Sequence, residues 1–271
     1  MSEWVKSRTR DHVMRVTIDR PDLHNAFDEA VIEGLRAAFA AAGDDPEARV
    51  VVLESRGRSF CAGADVRWMK RMIGYSFEEN VADTLAMAVM LETIRDCPKP
   101  VIARVNGWCI GGGNHLAYFC DITIAAEHAR FGQNGPRVGS PAGGYMVSQL
   151  ANIVGHKRAR EMWLLCRRYS AREMLEWGLI NAVVPMEKLD EEVDKWCQEM
   201  LALSPTCLAA IKASFRHVMK GTMDHDMFEN IRAVKPDYFE TGEQMEGASA
   251  FLEKRTPDFS QWRWGSPPGN A

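Results

Sequence analysis

Residues 100–115 read PVIARVNGWCIGGGNH. A run of β-branched and apolar residues, the signature of a buried strand, stops at Asn106 and gives way to three consecutive glycines. Glycine loses more backbone freedom on folding than any other residue, so three in a row are costly to order. At a strand-to-helix junction such a run can let a ligand approach the backbone and leave unbonded N–H groups pointing at it. Taken alone it fits a tight packing turn equally well. It lacks the G-x-G-x-x-G spacing of a dinucleotide fold and the lysine of a phosphate-binding loop. A second junction shifts the balance. RSFCAGADVRWM (residues 58–69) follows another apolar run, RVVVLES (residues 49–55), and it too ends in small residues feeding a helix. Two such junctions can aim one N–H apiece at a single oxygen, the arrangement of an oxyanion hole.

Around these junctions the chain alternates strand and helix patterns. VMRVTIDR (13–20), CDITIAA (120–126) and NAVVP (181–185) read as further strands. DEAVIEGLRAAFAAA predicts a helix from Asp28 that ends before Gly43, and Ser76 with Glu79 predicts a capped helix over 77–95. Ser170 with Glu173 and Thr241 with Gln244 form two more capping boxes, and Ser204-Pro205 is a helix start. From Met186 to Lys254 nearly everything reads as helix, and the charge run EKLDEEVDK (187–195) marks a solvated face. The alternation predicts an α/β protein with a mostly parallel sheet: a core to about residue 200, then a helical region over 201–271 ending in a frayed GSPPGNA tail.

Composition bounds the rest. The 271 residues are 46% hydrophobic and 26% charged, enough for a large core without metal or disulfide staples. A net charge of −4 with scattered lysines and arginines predicts neither a nucleic-acid nor a membrane partner. Seven cysteines without framework spacing, and without a ligand-like cluster with histidine, predict a reducing, cytoplasmic setting and no metal site.

The segments SFCAGAD (59–65) and NGWCIGGG (106–113), with RPDLHNAF (20–27) before and AFLEKRTPDF (250–259) after them, closely resemble the crotonase, or enoyl-CoA hydratase/isomerase, superfamily. The resemblance runs from about Val13 to Phe259. It implies a spiral of ββα turns, a C-terminal helical trimerisation region, and assembly as a trimer or dimer of trimers. It also implies an acyl-CoA thioester substrate, coenzyme A entering as part of that substrate and with no tightly bound cofactor. By position, Ala64 and Gly112 supply the two oxyanion N–H groups. Ala26, Ala62 and Gly111 line the pantetheine and thioester, and Phe251 and Lys254 reach the coenzyme A of a neighbouring subunit. A side chain at Gly111 or Gly112 is expected to obstruct the thioester.

Two positions depart from the hydratase pattern. The catalytic glutamates of hydratases correspond to His115 and to Gly135, the latter within FGQNGPRVGS (131–140). His115 can stand in as a general acid or base, because imidazole titrates near neutral pH. FGQNGPRVGSPAGGY and GHKRAREMWLLCRRYSA (155–171) are similar instead to 1,4-dihydroxy-2-naphthoyl-CoA synthases and 2-ketocyclohexanecarboxyl-CoA hydrolases, which make or break a carbon–carbon bond beside a thioester. Gln133, Gly135 and Trp163 match the residues that hold bicarbonate in such synthases, whereas Ala142 stands where an aspartate is expected. Ser140 is placed to bond a substrate carboxylate or ketone. Tyr145 is either a proton donor for ring opening or a core aromatic. GADVRWMKRMIGYSFEENVAD (63–83) is similar to methylglutaconyl-CoA hydratases, and Trp68, Met69 and Met72 are candidates for an acyl pocket or plain core. His24 is expected at the surface. Three functions follow: carbon–carbon bond formation or ring cleavage on a cyclic ketoacyl-CoA, hydration or isomerisation with non-standard acids, and a non-catalytic, RNA-associated binding protein on the same scaffold.

Overall fold

Two sheets take one strand each from every turn of the chain in a computed structural model that describes residues 3–71, 75–140, 144–219 and 242–258. The larger sheet has six strands in the order β1 (Val5–Arg10), β2 (Val13–Ile18), β3 (Val50–Ser55), β5 (Val101–Val105), β7 (Ile122–Ala126) and β10 (Ala182–Val184). Only the β1–β2 hairpin is antiparallel; the other neighbours are parallel. The smaller sheet stacks β4 (Ser59–Cys61), β6 (Trp108–Ile110), β8 (Arg130–Gly132) and β9 (Tyr169–Ser170). Thus β3 passes to β4, β5 to β6 and β7 to β8, and each pair feeds a helix.

The apolar runs are continuous because the larger sheet is covered on both faces. Val51, Leu53, Val101 and Ala103 face the main core beside α1 (Glu29–Asp44). Their neighbours Val50, Val52 and Ile102 face Leu189, Val193 and Cys197 of α8 (Leu189–Leu201). Asp28 caps α1, accepting from the Val31 N–H at 3.2 Å. That helix runs on through Gly43 to Asp44, past its expected end, with Pro98 packed at ordinary distance beside the glycine. Both described capping boxes form, Ser76–Glu79 at the start of α3 (Phe77–Asp96) and Ser170–Glu173 at α7 (Ala171–Glu176). The remaining helices are α2 (Val66–Arg71), α4 (Gly112–Phe119), α5 (Tyr145–Val154), α6 (His156–Leu165), α9 (Pro205–Met219) and α10 (Glu243–Leu252). Met72, Ala142, the Thr241–Gln244 box and the GSPPGNA tail lie outside the described residues or side chains.

Asn25 locks the loop of residues 20–27 onto the first junction. Its backbone is left-handed, with φ of 56°, and its side chain is fully buried. The amide donates to the carbonyls of Arg56 and Ser59, both at 2.7 Å, and the oxygen accepts from the Arg20 N–H at 2.9 Å. Arg20 extends the clamp, pairing with Asp28 at 2.9 Å and Asp65 at 3.1 Å and donating to the Ala26 carbonyl.

Candidate active site

The β4–α2 and β6–α4 junctions meet at the wall of a cavity of about 840 Å³, within the usual range for a small-molecule site. Phe27 bridges to Ala64: its N–H donates to Gly63 at 2.9 Å, and its carbonyl accepts from Asp65 at 2.8 Å. That ladder uses the residues on either side of Ala64 and turns the N–H of Ala64 itself away from Phe27. No described acceptor takes it. Gly112 opens α4, so its N–H has no partner inside the helix, and the helix dipole favours negative charge there. The two turns touch, since a Cβ at Gly63 would come within 3.1 Å of the Gly112 nitrogen.

The three glycines have three separate causes. Gly111 has φ of 57°, and a Cβ there would face open cavity, its nearest neighbour being Asn134 at 3.9 Å. A Cβ at Gly112 would strike the Phe27 ring at 2.2 Å, and one at Gly113 the Cys61 carbonyl oxygen at 2.0 Å. The expectation that a side chain at Gly112 obstructs the thioester is corrected: the obstruction is in the protein's own packing.

Ala26, Ala62, Ala64, Gly111 and Gly112 all line this cavity. His115, Gln133, Gly135, Ser140 and Trp163 line it too, as does Phe251 of α10. Trp68 and Met69 are part of the wall, and so is half-buried His24, whose Nδ1 lies 2.8 Å from Ser59 Oγ. One candidate residue is elsewhere. Tyr145 is buried with its hydroxyl donating to the Ala88 carbonyl at 2.7 Å, so its phenol serves packing rather than the cavity. Lys254, expected to meet the coenzyme A of a neighbouring subunit, is exposed. Phe251 sits on the wall of its own chain's cavity, where α10 packs on α2.

The inner lining is rich in unsatisfied donors. Both ring nitrogens of His115, both amide atoms of Gln133 and the indole N–H groups of Trp163 and Trp68 are buried without a hydrogen-bond partner among the described residues. Arg168 fixes Gln133 from behind, donating to its carbonyl at 3.0 Å and to Asn134 Oδ1 at 2.8 Å. The imidazole of His115 packs between Tyr118 and Trp163, with ring centroids 5.4 and 5.7 Å away. A Cβ at Gly135 would meet the Ser140 carbonyl oxygen at 2.7 Å and the Trp163 ring at 3.7 Å.

Burial pushes the His115 imidazole down to about 4, against a weaker opposing effect of Gln133. The ring is therefore neutral near pH 7. Between pH 4 and 6.5 the unfolded chain binds a proton that the folded chain refuses, so stability falls as pH falls through that window. Relative to a His115→Gln variant, the protein is expected to lose about 2 kcal/mol more between about pH 7 and pH 5. Urea unfolding of both proteins at the two pH values measures it, and parallel losses would show that His115 is not held neutral.

Sequence reasoning missed Asp83, Asn80 and Thr84, three polar residues of α3 that line the same cavity. Their signal was available only as polar residues interrupting the apolar side of a long helix. No group of residues able to hold a metal occurs among the described residues, and no described helix is long and apolar enough to cross a membrane.

The comparisons agree with this geometry. The enoyl-CoA hydratase/isomerase family model matches residues 8–263, and the chain belongs to that family. An enoyl-CoA hydratase from Mycobacterium avium subsp. paratuberculosis K-10 is similar over 96% of this chain and 99% of its own, with 29% identity and a TM-score of 0.81. A methylmalonyl-CoA decarboxylase in complex with 2-nitronate-propionyl-CoA has 25% identity and a TM-score of 0.85, over 96% of this chain and 99% of its own. An enoyl-CoA hydratase/carnithine racemase from Magnetospirillum magneticum has 29% identity and a TM-score of 0.78, covering 96% of both chains. The chain is thus a crotonase-fold acyl-CoA enzyme.

Proposed function

We propose that this enzyme forms a thioester enolate held by the N–H groups of Ala64 and Gly112, and makes or breaks a carbon–carbon bond beside it on a cyclic ketoacyl-CoA. The observation that carries the reading is the buried, unpartnered set of His115, Gln133 and Trp163 around side-chain-free Gly135. Such donors are costly to bury, at roughly 1–3 kcal/mol each, unless a ligand meets them. A small oxyanion fits: Gln133 and Trp163 would hold it, with His115 beside it. When bound, bicarbonate supplies a base where the chain has no carboxylate. Neutral His115 keeps a proton on one ring nitrogen and offers a lone pair on the other, so it can orient an acceptor without carrying charge. Ser140, on the same wall, is placed to bond the ketone or a carboxylate of the acyl group. Trimeric assembly, implied by the family resemblance, belongs to this proposal as well.

The test assays naphthoate ring closure and ketocyclohexane ring cleavage on their CoA thioesters, with and without bicarbonate. Stimulation by bicarbonate is expected, and Trp163→Phe, which keeps the ring but removes the N–H, is expected to weaken the apparent anion affinity about 10-fold or more. Silence in every such assay together with turnover of crotonyl-CoA would reject the proposal in favour of hydration through His115.

A further inference from the structure

We infer that Asp83 and Asn80 form a polar end of the acyl pocket that selects acyl groups carrying a hydroxyl. The inference rests on the acyl-CoA reading and adds to it a class of substrate. Asn80 is 2% exposed, and its amide nitrogen donates to the carbonyls of Tyr75 at 3.2 Å and Ser76 at 3.0 Å. Those two bonds fix the amide's orientation, since a flip would set its oxygen against two carbonyl oxygens. The Asn80 oxygen is left buried with no partner. Asp83 lies three residues on, on the same face of α3, and its Oδ2 is likewise buried and unpartnered. The neighbouring Thr84 hydroxyl satisfies neither, because it donates to the Asn80 backbone carbonyl at 2.9 Å.

Both residues line the cavity, together with Met87 one turn further along and Trp68 and Met69 of α2. Apolar neighbours of that size suit an acyl group rather than the nucleotide of coenzyme A. Two acceptors buried without donors call for a donor on the ligand. Burial, followed by the nearby carboxylates of Glu29 and Glu79, holds the Asp83 carboxyl above its ordinary range. A hydroxyl supplies such a donor. It also answers Trp68, whose indole N–H is a buried donor without an acceptor in the same lining. An ammonium group has no lone pair for that indole, which favours the alcohol.

The test is calorimetric titration of the enzyme with unreactive CoA thioethers: S-alkyl-CoA probes, each against partners with one hydroxyl stepped along the alkyl chain. At one position the hydroxylated probe is expected to bind about 10-fold more tightly than its parent. Asp83→Leu is expected to abolish that preference, read as the ratio of the two affinities measured on the variant itself. Asp83→Ala replaces it in the same comparison if the leucine variant does not fold. A wild type indifferent to the hydroxyl at every position, or a preference that survives loss of the carboxylate, overturns the inference and leaves the acyl-CoA reading intact. Failure of every probe, and of coenzyme A itself, to bind would overturn that reading and the inference with it.

Discussion

Ala64→Pro is expected to cut turnover by about 10²–10³-fold, the usual consequence of deleting one oxyanion donor. Proline removes the N–H, and the bonds of the Phe27 bridge, which run through Gly63 and Asp65, do not depend on it. The preceding residue is a glycine, which tolerates the restriction that proline places on its neighbour. Enolate formation is common to every reaction considered for this cavity, so the readout can be chosen to precede any dispute over the product. Uptake of deuterium from solvent at the α-carbon of a thioester that the wild type turns over, followed by NMR, measures that step directly. Affinity for the free coenzyme A and the unfolding midpoint are expected to change little. Unchanged deuterium uptake in a folded Ala64→Pro enzyme would remove Ala64 from the oxyanion site.

Gly113→Ala is expected to prevent folding, or to destabilise the protein by more than about 4 kcal/mol, a loss reserved for a few severe mechanisms. The added methyl would lie 2.0 Å from the carbonyl oxygen of Cys61 and 2.7 Å from its carbon, so backbone rather than a mobile side chain must give way. Gly111→Ala is the instructive contrast. Its methyl points into open cavity, and only the strained backbone, with φ of 57° and ψ of −121°, resists it, at a cost of roughly 1–3 kcal/mol. Denaturant unfolding of the two variants separates the causes. Equal losses would mean that conformational freedom, and not close packing of α4 on β4, explains the glycine run.

How much of this was legible beforehand follows the physics of each element. Strands β2, β3, β5, β7 and β10 of the larger sheet were readable from their apolar runs, such as the VVVL of residues 50–53, whereas β1, the polar VKSRTR, gave no such signal. Strands β4, β6, β8 and β9 are two or three residues long, too short to show any periodicity, and they exist because the turns before them are pinned by long-range bonds such as that of Asn25 to Ser59. The two junctions were legible from their small residues, whereas the reason for each glycine was not, since Phe27 and Cys61 lie far away in sequence. Tyr145 is a similar case: only the fold brings the Ala88 carbonyl to its hydroxyl. Asp83 escaped notice because a polar residue facing a cavity looks, in a helix pattern, the same as one facing water.

Helix α10 carries a consequence of another kind. Gly247 lies so close to the backbone of Val138 and Gly139 that no side chain fits between, and Phe251 and Leu252 finish the wall of the cavity. These residues are translated long after the junctions at 64 and 112. A chain cut before Phe251 would keep both junctions in its sequence and lose part of the cavity wall.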